Sequence, residues 1–150
     1  MISKKTLFLG LLTISLNSVG VAHAALSSLD VTNNTSQYST VIINNGMCSS
    51  NSALGKAGVT DPKSHNPIPG FILWIACHAA PSNCKADVYM SKNCGAAGDP
   101  KVATIIFDIS TGIKSITMHS NDYLFTGGGF SITLDGGPTT FVQNNNYMMW

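Results

Sequence analysis

The stretch Phe130-Ser131-Ile132-Thr133-Leu134-Asp135 decides the fold class. Apolar Phe130, Ile132 and Leu134 alternate with polar Ser131, Thr133 and Asp135, the period of two that sends successive side chains to opposite faces of a half-buried strand. Turn chemistry flanks it, with Gly127-Gly128-Gly129 before and Gly136-Gly137-Pro138 after; glycine tolerates the positive backbone angles that tight turns demand. Outward from this strand, similar runs recur at 29–33, 38–43, 71–77, 86–90, 102–109, 113–119, 123–126 and 139–143, giving about nine strands. Short strands at such spacing predict an all-β domain, an antiparallel two-sheet β-sandwich of about eight or nine strands, with a small barrel as the alternative.

Runs 71–77 and 104–109 are nearly continuous in apolar residues, which predicts central strands covered on both faces; their shortness argues against buried helices. Ser110-Thr111-Gly112 supplies a tight hairpin loop, and the last part of the chain reads as a meander. The exception is 44–70, rich in Asn, Ser, Gly and Pro. A loop of that length is either a binding site or a crossover between sheets fastened by Cys48. A short helical turn is expected near 52–56.

Composition narrows the function. All eight cations are Lys and all seven anions are Asp, while Asn, Ser, Thr and Gly number 13, 17, 13 and 14. Helical surfaces are usually filled by Glu, Lys, Gln and Arg, so a helical bundle is excluded. Nucleic-acid binding is excluded as well, because Arg is absent and the lysines are scattered. With 44% hydrophobic residues and a net charge near zero the chain collapses and packs rather than remaining disordered.

Residues 1–24 have the three parts of a secretory signal: Lys4 and Lys5, an apolar stretch over 7–16, and the small-residue end Ala22-His23-Ala24. Ala25 is the expected mature N-terminus, followed by one domain over 25–150. The apolar stretch falls short of the roughly 20 residues that span a bilayer, so no stable membrane span is expected after cleavage. The mature chain would hold six Lys against seven Asp, a formal charge of −1, so electrostatic steering is weak.

Four cysteines, Cys48, Cys77, Cys84 and Cys94, are an even number in an exported chain, which favours two disulfides over three possible pairings. If 71–77 and 84–90 are hairpin partners, Cys77 faces Cys84 at the hairpin mouth and Cys48 pairs with Cys94. The cysteine spacing lacks the close paired ligands of structural zinc motifs.

Catalytic signatures are sparse. There is no Gly-x-Ser-x-Gly elbow, no His-Glu-x-x-His and no phosphate-cradling loop. A glycosidase pair would have to come from Asp87, Asp108, Asp122 or Asp135, and alternation puts Asp87 and Asp108 on solvated faces. His65, His78 and His119 lie on a loop or at strand ends, candidates for a metal only if the fold converges them. Cleavage after Ala22 would instead expose His23 as an N-terminal copper ligand, which resembles the lytic polysaccharide monooxygenases. The terminal Tyr147-Met148-Met149-Trp150 ends in an aromatic, as outer-membrane barrels do, but the runs are too short for a membrane barrel. Packing of Met148 and Trp150 onto the domain is the expectation. Asn33-Asn34-Thr35 reads as a glycosylation acceptor or as an ordinary turn.

The combination of Val31-Thr32-Asn33-Asn34-Thr35, Val41-Ile42-Ile43-Asn44-Asn45-Gly46 ahead of Cys48, Leu73-Trp74-Ile75-Ala76-Cys77, Cys84 ahead of Ala86-Asp87-Val88-Tyr89-Met90, and Thr104-Ile105-Ile106-Phe107-Asp108 resembles uncharacterised small exported proteins of Gram-negative bacteria. The resemblance covers most of the mature chain. It implies periplasmic folding with disulfides, leaves onward secretion toward a host open, and attaches no activity.

The expected function is a non-enzymatic exported binding module, periplasmic or secreted, monomeric and without a cofactor. Its ligand would be a protein or a carbohydrate recognised by His65, Asn66, Trp74, His78 and Asn83. The alternative is a small copper- or zinc-dependent or hydrolytic enzyme.

Overall fold

A computed structural model describes residues 27–51 and 55–138. Residues 1–24, the expected signal, with His23, the run 139–143 and the C-terminal Met148 and Trp150 lie outside these described residues. Among the described residues eight strands form two sheets: β1 (Leu29–Asn33), β2 (Thr40–Ile43), β3 (Ser64–Ile68), β4 (Cys84–Tyr89), β5 (Ala103–Asp108), β6 (Gly112–Met118), β7 (Tyr123–Gly128) and β8 (Ser131–Gly136). A helix, α1 (Gly70–Ala76), follows β3. One sheet has the order β3-β1-β8-β7 and the other β2-β4-β5-β6. The architecture is the all-β sandwich that the alternation in 130–135 predicts, with one departure: β1 pairs with β8 in parallel, Val31 opposite Ile132. All other strand pairs are antiparallel.

Within β8, Ile132 and Leu134 are buried while Ser131 is exposed. They pack with Val31, Val88, Met90, Val102, Ala103 and Phe125 in the main core. A smaller cluster of Cys77, Cys84 and Phe107 sits under Leu73, Ile109 and Phe130; there Phe107 and Phe130 meet edge to face with ring centroids 5.7 Å apart, a geometry that suits the positive edge and negative face of aromatic rings.

The two long sides of the sandwich differ. On one, the sheets close directly, because Ile113 bridges to Gly129. Gly112 makes this possible: its φ is +97°, and a Cβ there would stand 2.2 Å from the Gly129 carbonyl oxygen. On the other side, the chain between β2 and β3 has two 3-10 turns among its described residues, Ser49–Asn51 and Gly55–Gly58. An isolated bridge between Ser39 and Thr60 fixes this connection, and the Cys48–Cys94 disulfide ties it to the segment after β4. The second disulfide joins Cys77 to Cys84.

Two sequence expectations are corrected. Residues 71–77 do not form a central strand; they form α1 and its C-cap, Cys77. Pro69 has φ −57° and ψ 145° and accepts from the Ile72 and Leu73 N–H groups at 3.0 and 3.2 Å. A proline fits a helix start because no donor is needed there, and a uniformly apolar run carries no period to separate strand from helix. The Cys77–Cys84 bridge therefore closes a helix-to-strand connection, not a hairpin mouth. Nor is 44–70 one long loop, since its end is the edge strand β3, whose Asn66 lies opposite Val31. Pro67 concealed it, being tolerated at an edge where no ladder donor is required. The helical turn expected near 52–56 overlaps the 3-10 turn Gly55–Gly58, and 52–54 lie outside the described residues.

Candidate functional site

Helix α1 has two apolar faces, because Phe71-Ile72-Leu73-Trp74-Ile75-Ala76 contains no polar side chain. At 3.6 residues per turn, positions 71, 74, 75 and 78 share one side and 72, 73 and 76 the other. The second set turns inward. The first faces water: Phe71 is 58%, Trp74 45% and Ile75 53% exposed, and the His78 ring meets Trp74 edge-on, centroids 5.0 Å apart. These residues form a contiguous exposed apolar patch, a feature that marks contact surfaces on soluble proteins.

Beneath α1, between the sheets, lies an apolar cavity of about 140 Å³. Leu29 and Val31 of β1, Val41 and Ile43 of β2, Ile68 of β3, Ala86 and Val88 of β4, and Ile105 of β5 line it, and Ile72, Leu73 and Ala76 form its helical wall. Several of these inward side chains, Leu29, Val41, Ile43, Ile68 and Ile105 among them, are only half-buried, because on the β2–β3 side the sheets do not close on one another.

The residues singled out from sequence are distributed as follows. Trp74 and His78 come together on the outer face of α1. Asn83, between α1 and β4, accepts a hydrogen bond from Lys114 Nζ at 2.8 Å, which pins the 77–84 connection to β6. His65 sits on β3 with Nε2 3.5 Å from Asp30 Oδ1 on β1, both exposed. Asn66 donates to Thr60 Oγ1 at 3.1 Å and so holds the 44–63 connection. Among the described residues no three His, Cys, Asp or Glu side chains form a metal-ligating group, so His65, His78 and His119 do not converge.

Asp87 corrects a further expectation: it is 6% exposed, not solvated. Alternation does turn it to the outer face of its sheet, but Lys85 Nζ at 3.7 Å and Lys101 Nζ at 3.5 Å lie over it. Thr104 Oγ1 is 2.9 Å from Asp87 Oδ1 and 2.8 Å from His119 Nε2. A hydroxyl has one proton, and an ionised carboxylate only accepts. The proton of Thr104 therefore points at Asp87, and His119 donates to Thr104.

Two ionisable groups have displaced pKa values. The Ser110 hydroxyl, then the Ser110 backbone N–H, hold Asp108 below the ordinary carboxylate value, and burial raises Tyr123 with Asp122 and Asp99 adding to it. Neither residue belongs to α1 or lines the cavity. Sequence reasoning missed Phe71 and Ile75 as surface residues; the 71-74-75-78 spacing was the available signal.

A model of the family described as T2SS substrate NttC matches residues 4–144. The crystal structure of the Legionella pneumophila type II secretion system substrate NttC superposes with a TM-score of 0.58 at 18% identity, covering 74% of this chain and 98% of that one. At that identity the likeness concerns the fold. No curated protein matches the sequence. No helix among the described residues is long and apolar enough to cross a membrane. With the family model spanning nearly its whole length, the chain belongs to the NttC family of type II secretion system substrates.

Proposed function

We propose that the protein is an exported, non-enzymatic binding module that engages a partner protein through the outer face of α1. On this reading residues 1–24 are a cleaved signal, and 25–150 fold as one monomeric domain. The disulfides form in the periplasm, an oxidising compartment, and the folded protein then leaves by the type II route that its family membership suggests.

The observation that carries the reading is the exposure of Phe71, Trp74 and Ile75 on one helical face. The chemistry favours a protein over other partners. A glycan needs several hydrogen-bonding groups beside the stacking ring, and this face offers only the Trp74 indole N–H and the His78 ring. An anionic membrane surface recruits helices that carry Lys or Arg on their polar face, and α1 has none. Large aromatic and aliphatic side chains on a fixed helix are the material of protein interface cores, where charge is depleted.

A benzophenone amino acid at position 71 tests this. In host-cell extract it is expected to yield a discrete protein adduct, and that adduct should be lost when Trp74→Ser and Ile75→Ser are added while the far-UV spectrum and Tm stay close to the parent's. Binding to a glycan array or to anionic vesicles that survives Trp74→Ser, with no adduct at 71, would overturn the protein reading.

A further inference from the structure

We infer that the cavity between the sheets is a binding site for a small hydrocarbon group, either a free molecule of about benzene size or the end of an acyl chain. This rests on the interior and is independent of the outer face of α1.

Three observations lead to it. The volume, about 140 Å³, is in the class of the ~150 Å³ apolar cavity that stays dry yet admits benzene or xenon. The lining offers water few partners, since a trapped water needs two to four of them and the hydroxyls of Thr40, Ser49 and Thr60 at the wall are already engaged. Thr40 Oγ1 donates to the Ser91 carbonyl at 2.9 Å, Ser49 Oγ donates to the Gly58 carbonyl and accepts from the Val41 N–H, and Thr60 Oγ1 accepts from Asn66. The apolar side chains around the space, such as Leu29, Ile43 and Ile105, remain half-buried, so they have contact area to give a ligand.

One wall of the space is α1. None of its residues is fully buried, and it is held by Pro69 at one end and by the Cys77–Cys84 bridge at the other. Ile72, Leu73 and Ala76 would touch the guest directly.

The test uses the purified, disulfide-bonded protein with benzene, xenon and octanoate as separate probes, followed by methyl NMR and thermal unfolding. The expected result is saturable shifts at the methyls of Leu29, Ile43, Ile72 and Leu73, with Tm rising as probe concentration rises. Ala86→Leu, which fills the space from β4, should weaken binding about tenfold or more; Ala76→Leu fills it from α1 and serves if the first variant does not fold. Binding of benzene and xenon without octanoate assigns the site to free small molecules, and binding of octanoate assigns it to acyl ends. Absence of saturable shifts with all three probes in the unmutated protein, or equal affinity in both filled variants, overturns the inference. The variant Phe71→Ser, Trp74→Ser, Ile75→Ser should still bind benzene, which separates this site from the outer face.

Discussion

Asp108 shows how one turn fixes a titration. It ends β5, and its Oδ1 accepts from the Ser110 hydroxyl at 2.6 Å and the Ser110 N–H at 2.8 Å. These bonds are stronger to the carboxylate than to the neutral acid, so its pKa is lowered. With the folded value below the unfolded one, the turn's contribution is present above the ordinary carboxylate pKa and is lost as pH falls through the lowered one. Ser110→Ala should move the Asp108 midpoint back up toward the ordinary range, read by carboxyl-carbon NMR; an unchanged midpoint would show that Ser110 is not the cause. Asp87 teaches a different lesson about single residues. Its direction was legible in the alternation of 84–90, but its burial was not, because the lysine stems and Thr104 that cover it come from positions up to 17 apart in sequence.

Helix α1 is the element for which tertiary context overrode local reading. Seven residues are too few to form a stable helix alone, so its conformation depends on what holds its ends and on the cavity side of its wall. The Cys77–Cys84 bridge, at a sequence separation of 7, is worth about 2.5 kcal/mol by loop-closure entropy. Replacing both cysteines with Ala should lower stability by about that amount. It should also speed hydrogen exchange at the Cys77 amide, which bonds the Leu73 carbonyl at 2.8 Å. Exchange at the parent's rate would mean that packing alone holds the helix. The hairpins of β5–β6 and β7–β8 behaved otherwise, since Gly112 and Gly129 announce their turns locally.

At the scale of the molecule, the sheets are joined by β-bridging on one side, while on the other a covalent tie fastens the 44–63 connection to the β2-β4-β5-β6 sheet. Cys48–Cys94 spans a sequence separation of 46, for which loop closure gives about 4 kcal/mol. Replacing this pair with Ala should therefore cost more than replacing Cys77 and Cys84, with Tm falling by roughly 10–20 °C. Equal losses in the two double variants would contradict the loop-length argument.

The alternation in 130–135, the glycine turns and the even cysteine count determined an all-β, disulfide-compatible domain, because strand period and turn conformation are properties of neighbours in sequence. Two things were decided only by tertiary structure. Whether the apolar run 71–77 became strand or helix depended on Pro69, the bridge to Cys84 and the lack of a strand partner, none of which its own pattern records. The cavity lies between two sheets that do not meet on the β2–β3 side, and Phe71, Trp74 and Ile75 face outward because the opposite face of α1 packs over that space. Such spacing between layers is set by the whole packing and is not written in any one segment.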